Sequence, residues 1–172
     1  MERGYVQVYT GNGKGKTTAM LGLALRACGA GLRVYIGQFI KNMEYSEVTA
    51  IRNHLPTVEI EQYGAGCIFN REASKFDIAE AEQGLRKARE AILSNRYDIV
   101  MLDEINNAVT LGLLDTREVV KLIKDKPLPV ELVLTGRGAA QEVIDEADLV
   151  SEVAEMKHYY TSGVLAREGI ER

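Results

Sequence analysis

The chain has no excess of positive charge, very little cysteine and no long apolar run, and each shortage removes a class of function. With 21 Lys and Arg against 25 Asp and Glu, its formal net charge is −4. It therefore lacks the basic face on which a general nucleic-acid binder neutralises phosphates, and its local cations must serve a small anion. The two cysteines, Cys28 and Cys67, stand far apart with no C-x-x-C partner. That excludes a disulfide framework and a cysteine zinc site, and it fits a reducing cytoplasm. No stretch approaches transmembrane length, and residues 1–4 are too short for a signal peptide. A soluble, cytoplasmic protein without membrane or nucleic-acid partners is expected. Repeats, low-complexity tracts and linkers are also missing, so residues 1–172 read as a single domain, long enough to bury a sizeable core.

What is present is concentrated near the start. Tyr5 to Tyr9 reads as a strand that runs into Thr10-Gly11-Asn12-Gly13-Lys14-Gly15-Lys16-Thr17-Thr18 and then into a helical pattern. The backbone N–H groups of such a turn converge on one concavity, the helix adds the positive end of its dipole, and Lys16 supplies a point charge. Thr17 would place its hydroxyl on Mg²⁺. The usual spacing, G-x-x-x-x-G-K-[ST], puts Thr10 where the leading glycine belongs and leaves Gly11 one residue too close. The loop is either of standard length with a threonine in the lead, or shortened. Lys14 is a second cation inside it, which suits a polyanion. A Gly- and Lys-rich surface turn is the bland alternative, but strand, loop and helix follow in the order that phosphate binding demands.

The rest of the chain alternates. A helix over Thr17 to Cys28 leads to an almost wholly apolar strand at Val34 to Phe39, as expected for a strand covered on both faces. A short helix at Tyr45 to Leu55 stops before Pro56, and a strand at Val58 to Gln62 precedes a polar loop, Tyr63 to Lys75. Asp77 to Ser94 has apolar Ile78, Ala81, Leu85, Ala88 and Ile92 at helical spacing. A buried strand from Tyr97 ends in Asp103-Glu104, helices follow at Asn106 to Leu114 and Thr116 to Lys126, and a strand at Val130 to Thr135 comes after Pro127 and Pro129. A helix at Ala139 to Ala147 and a strand at Leu149 to Val153 complete the pattern. Such alternation predicts an α/β fold, a mostly parallel sheet with helices on both faces, and a ligand at the carboxyl ends of its strands.

Two further groups are predicted at that edge. Asp103 and Glu104 close an apolar run, and one of them would hold Mg²⁺ directly or through water; an exposed acidic pair capping the next helix is the alternative. Thr135-Gly136-Arg137-Gly138-Ala139 also lies between strand and helix, so Arg137 is either a phosphate clamp or a surface arginine. To this point the residues describe an Mg-nucleotide on a P-loop domain and leave the reaction open. An ATPase or kinase is the commoner fate of such a loop, with Glu104 orienting a water or hydroxyl towards the γ-phosphate. A nucleotide-dependent binding module without turnover is a third reading.

Read as an ordered set, Thr10 to Thr18, Gln38-Phe39-Ile40-Lys41, Leu102-Asp103-Glu104-Ile105, Thr135 to Ala139, His158-Tyr159-Tyr160, Gly163, Ala166 and Gly169-Ile170-Glu171 resemble the P-loop type of ATP:cob(I)alamin (corrinoid) adenosyltransferase. The resemblance implies a P-loop NTPase-like three-layer fold. It also implies transfer of the 5′-deoxyadenosyl group of ATP to the cobalt of reduced cob(I)alamin or another corrinoid, with release of triphosphate, in adenosylcobalamin synthesis or salvage. In that family ATP lies reversed along the loop, its γ-phosphate where the α-phosphate usually sits. Carried over by position, Gly11, Asn12, Gly13, Lys14, Gly15, Lys16, Thr17, Thr18 and Arg137 bind the triphosphate. Lys16, Thr17 and Glu104 are the catalytic set, and Thr17 and Glu104 hold Mg²⁺ or Mn²⁺ with Asp103 in support. A homodimer and a reduced flavoprotein electron donor are further implications.

Three places depart from the family pattern. Its corrinoid-facing loop reads Gly-x-Gly-Phe-Thr-Trp, whereas Gly64-Ala65-Gly66-Cys67-Ile68-Phe69 stands here. Cys67, Ile68 and Phe69 are then the residues expected beneath the ring, unless Ile68 and Phe69 merely tuck under a long loop. An N-terminal extension that covers the partner's nucleotide in many relatives has no counterpart before the first strand, so closure is expected from other segments or to be looser. Arg26 matches a family arginine but lies roughly 15 Å along the helix from Lys16. His54 and His158 have no metal-like spacing, and His158 serves either the ligand or the fold of the tail.

Overall fold

A computed structural model describes residues 2–64, 66 and 72–172 of the chain. The elements follow in the order β1 (Val6–Thr10), α1 (Lys16–Gly29), β2 (Val34–Phe39), α2 (Ser46–His54), β3 (Val58–Tyr63), α3 (Lys75–Leu93), β4 (Ile99–Asp103), α4 (Ile105–Thr110), α5 (Thr116–Lys124), β5 (Glu131–Thr135), α6 (Gln141–Asp145) and β6 (Leu149–Glu152). The strands form one sheet in the order β3-β2-β4-β5-β1-β6. Every pairing is parallel, so the mostly parallel expectation is met in full.

Side-chain alternation along the strands divides the core into two layers. In β4, Val100 and Leu102 point to one side with Leu132 and Leu134 of β5, and that side is covered by Leu85 and Ile92 of α3, Ile105 of α4, Leu122 of α5 and Val143 of α6. Ile99, Met101 and Val133 point to the other side, under Met20, Ala24 and Ala27 of α1 and Val48 and Ile51 of α2. Each of Met101, Leu102, Leu132 and Leu134 is fully buried, worth about 1.5–3 kcal/mol relative to exposure. The strand β6 is the exception, exposed along its whole length.

Element boundaries shift from the sequence pattern for local reasons. The helix α3 starts at Lys75 rather than Asp77 because Ser74 caps it: the Asp77 N–H donates to Ser74 Oγ, and the Ser74 N–H donates back to Asp77 Oδ2. The helix α4 stops at Thr110, well short of Leu114, where the chain turns through Gly112 at φ 70°. A short 3₁₀ turn at Tyr159–Ser162, which hydrophobic periodicity does not reveal, orders the tail.

The strand order decides where the chemistry gathers. The neighbours β2, β4, β5 and β1 end, side by side, in Ile40-Lys41, Asp103-Glu104, Gly136-Arg137 and the glycine-rich turn. Segments separated by most of the chain thus share one edge, the place where open parallel sheets bind ligands.

Candidate functional site

The turn between β1 and α1 is built around a lysine. The strand continues through Thr10, the position of the usual leading glycine, and the turn proper is Gly11–Gly15. Thr10 is used on both sides: its carbonyl accepts the Val153 N–H and its hydroxyl accepts the Ala139 N–H at 3.2 Å. Gly13 donates to the Val153 carbonyl at 2.7 Å, and a Cβ on Gly13 would lie 2.7 Å from the Ala154 carbonyl oxygen, so no side chain fits there. Lys16 is buried and donates to the carbonyls of Gly11 at 2.7 Å and Gly13 at 2.8 Å. Burial lowers the pKa of its ammonium, the condition of a cation waiting for an anion.

The two carboxylates after β4 have different fates. Asp103 is completely buried and spends both oxygens on protein donors. Oδ1 accepts from Thr17 Oγ1 at 2.8 Å and Thr135 Oγ1 at 2.7 Å, and Oδ2 accepts from Lys41 Nζ at 2.7 Å and Gln38 Nε2 at 3.2 Å. Its geometry suits support of Thr17 rather than direct ligation of a cation. Glu104 caps α4 in the left-handed region at φ 62°, pinned by its N–H to Thr135 Oγ1 at 3.0 Å. Its half-buried side chain lines both cavities described next. Burial, and then the charge of Asp103, raise its pKa against the opposing pull of Lys41, Lys16 and Arg137.

Two cavities meet over this edge. One, about 610 Å³, is lined by Gly13 to Thr18, Lys41, Glu104, Arg137 and the tail residues His158 and Gly169 to Arg172. The second, about 470 Å³, is mainly apolar and includes Phe39, Ile40, Met43, Thr110 and Leu111. Lys41, Tyr45, Glu104, Asn107 and Arg137 line both, so they form the seam. The tail closes the polar cavity from above: Lys14 Nζ donates to the Ile170 carbonyl at 3.2 Å and Ser46 Oγ to the Arg172 carbonyl at 3.0 Å.

Of the residues anticipated from sequence, Gly13, Lys14, Gly15, Lys16, Thr17, Thr18, Glu104 and Arg137 line the polar cavity. Gly11 and Asn12 do not; Gly11 contributes the carbonyl that holds Lys16, and Asn12 faces outwards. Asp103 stands behind the wall. Cys67, Ile68 and Phe69 lie outside the described residues, though Gly66 at the start of that loop lines the apolar cavity. Arg26 is exposed in the last turn of α1, outside the lining of either cavity. His158 caps the tail's 3₁₀ turn, its Nδ1 accepting the Tyr160 N–H at 3.0 Å, and the residue also lines the polar cavity.

Sequence reading missed Lys41, Gln38, Thr135 and the carbonyl of Ile170 as members of this constellation. All four sit in blocks that carry the family resemblance, which was the available signal; none has a spacing that marks it by itself. Among the described residues, no three His, Cys, Asp or Glu side chains cluster as a metal site. A Thr17 hydroxyl and a Glu104 carboxylate could supply two ligands, leaving the rest of a cation's shell to phosphates and water, as Mg²⁺ sites usually do.

The sequence profile of the family described as ATP:corrinoid adenosyltransferase BtuR/CobO/CobP matches residues 2–172. A corrinoid adenosyltransferase of Sinorhizobium sp. is 39% identical over 173 residues, covering 99% of this chain and 81% of the relative. Another, from Escherichia coli K12, is 35% identical over 171 residues, covering 99% and 86%. A third similar protein, corrinoid adenosyltransferase CobA of Salmonella typhimurium, is 34% identical over the same length and coverage.

Proposed function

This chain belongs to the ATP:corrinoid adenosyltransferase family, and on that premise we propose how its two cavities divide the transfer of an adenosyl group from ATP to a corrinoid. The polar cavity takes the triphosphate and the apolar one takes a face of the macrocycle. The ribose C5′ lies at the seam between them.

In this reading ATP runs with its phosphates along Gly13 to Thr18, the γ-phosphate deepest, and Lys14, Lys16 and Arg137 gather around charge that grows as the leaving group departs. The cobalt of the reduced corrinoid is the nucleophile. Its electron pair forms the Co–C5′ bond as the C5′–O bond breaks, and that bond's electrons leave with the intact triphosphate. No side chain is needed as nucleophile; the protein contributes position and leaving-group stabilisation. Thr17 and Glu104 would hold Mg²⁺, which supplies further charge neutralisation on the phosphates. Thr17 and Glu104 line the same polar cavity, which supports that role.

Several features of the family stand as proposals too. Reaching Co(I) calls for a strong reductant, for which a reduced flavoprotein is the donor we favour, in the cytoplasm. A homodimer is the proposed assembly, and the bare edge strand β6 would suit it. Among the described residues, no helix is long and apolar enough to cross a membrane. Cys67, Ile68 and Phe69 remain the proposed residues beneath the ring.

The observation that carries the reading is the opening of a phosphate cradle directly into an apolar cavity, which a hydrolase acting with water has no need of. The test is appearance of the cobalt–carbon absorbance with ATP, Mg²⁺ and chemically reduced corrinoid, together with identification of the phosphate product. Triphosphate formed only with corrinoid supports it; ADP and phosphate formed without corrinoid would replace it with an ATPase.

A further inference from the structure

We propose that Lys41 is a positioning residue for adenosyl transfer, its ammonium holding Asp103 so that Asp103 in turn fixes the Thr17 hydroxyl and the backbone of Glu104.

The lysine reaches its place through an unfavourable turn. Ile40, just after β2, has φ 65°, a left-handed conformation that a β-branched residue rarely adopts. Its surroundings impose it: the Ile40 N–H donates to the Tyr63 carbonyl at 2.8 Å, and the backbone of Gly64 packs so closely that a Cβ there would fall 2.6 Å from the Ile40 carbonyl carbon. Strained turns persist where the fold over-determines them, and they concentrate at sites of function. The product of this one is Lys41, whose side chain is 18% exposed, at the seam of the two cavities.

Its contacts point through Asp103 rather than at a phosphate. The ammonium lies 2.7 Å from Asp103 Oδ2 and 3.8 Å from Glu47 Oε1, and 5.2 Å from the centre of the Tyr45 ring. With two carboxylates against it, this cation is already committed, unlike Lys14 or Arg137. The Asp103 carboxylate is fully buried, away from bulk solvent, and Lys41 is the cation ion-paired to it among the described residues, so removing the lysine strips its charge of that partner. From Oδ1 the network continues to both proposed metal positions. Thr17 donates to it directly; Thr135 donates to it and accepts the N–H of Glu104. A group behind two ligands, setting their orientation, is worth roughly 10- to 100-fold in metal affinity or activity.

The inference rests on Thr17 and Glu104 as metal positions, and the experiment separates the two ideas. ATP binding is titrated calorimetrically with and without Mn²⁺, in the absence of corrinoid so that nothing turns over. In the unsubstituted protein Mn²⁺ should tighten ATP binding, and Thr17→Ala and Glu104→Ala should each lose that gain. Lys41→Met should lose roughly 10- to 100-fold of it, with a matching fall in kcat. Lys41→Arg, which keeps a cation on Asp103, should restore most of both. Because the two residues act along one route, Asp103→Asn combined with Lys41→Met should be no worse than Asp103→Asn alone. That pair leaves no uncompensated charge, so it decides the question even if Lys41→Met alone does not fold. A Lys41→Met protein with the full Mn²⁺ gain, or penalties that add in the double variant, overturns the role of Lys41. Thr17→Ala and Glu104→Ala proteins with the full gain overturn the metal assignment and the inference built on it.

Discussion

Lys14 Nζ donates to the main-chain carbonyl of Ile170, 156 positions further along the chain, at 3.2 Å. The contact ties the phosphate loop to a tail that has no buried residue after β6, so the tail is ordered by the site it covers rather than by the core.

Deletion of residues 158–172 should therefore leave the fold intact while opening the polar cavity. Melting temperature should barely change, because no core side chain is removed. The KM for ATP should rise roughly 10-fold, the scale of a lost charge-assisted hydrogen bond and the wall around it. Steady-state kinetics beside a thermal melt checks both, and an unchanged KM would remove the tail from the nucleotide site.

Lys16 does two things that one substitution separates. Its bonds to the Gly11 and Gly13 carbonyls shape the empty loop, and its ammonium is proposed to meet the leaving triphosphate. Lys16→Ala should lower kcat by about 10²- to 10³-fold, measured with prepared Co(I) corrinoid so that reduction is not limiting.

Glu104 should show the opposed demands of function and stability. Its pKa is raised above the ordinary 4.5 by burial and by the Asp103 charge. A raised acid stabilises the fold in its protonated form. That contribution is fully present below the ordinary value and is lost as pH rises through the folded one. Near neutral pH the ionised side chain therefore costs the ligand-free protein stability. Glu104→Gln should raise the melting temperature there by a few degrees, with the gap vanishing near about pH 4, while turnover collapses. A lower melting temperature at pH 7 would contradict the raised pKa.

Gly13 has no room for a methyl group, since the Ala154 carbonyl oxygen stands 2.7 Å from where its Cβ would be. Gly13→Ala should push the loop off the segment after β6 and abolish ATP binding in a filter or calorimetric assay. The loss of stability should be modest, about 1–3 kcal/mol, because the overpacking is local to an edge.

Much of the architecture was legible without coordinates. The apolar runs and helical spacings placed β2 at its observed limits and every other strand within a residue or two, because central strands buried on both faces must be apolar throughout and turns must carry glycine, proline or polar caps. The start of α3 was missed because its cap, Ser74, lies before the apolar pattern begins. Lys41 was missed as part of the site because a lone lysine after a strand has no spacing to distinguish it from a surface cation.

Local chemistry by itself pointed to a phosphate cradle: a β-branched strand, glycines, two lysines and a threonine carry that meaning in one short stretch. Which carboxylate stays free, which one is saturated, and what closes the cavity were decided only in three dimensions. Asp103 and Glu104 are neighbours in the chain, yet one is spent in the core network while the other, at a left-handed turn, lines the cavities. The partners that separate their roles are Thr17 at the start of α1, Lys41 after β2 and Thr135 at the end of β5; they meet because β2 and β5 flank β4 and β1 stands next beyond β5, a property of strand order that no local pattern encodes.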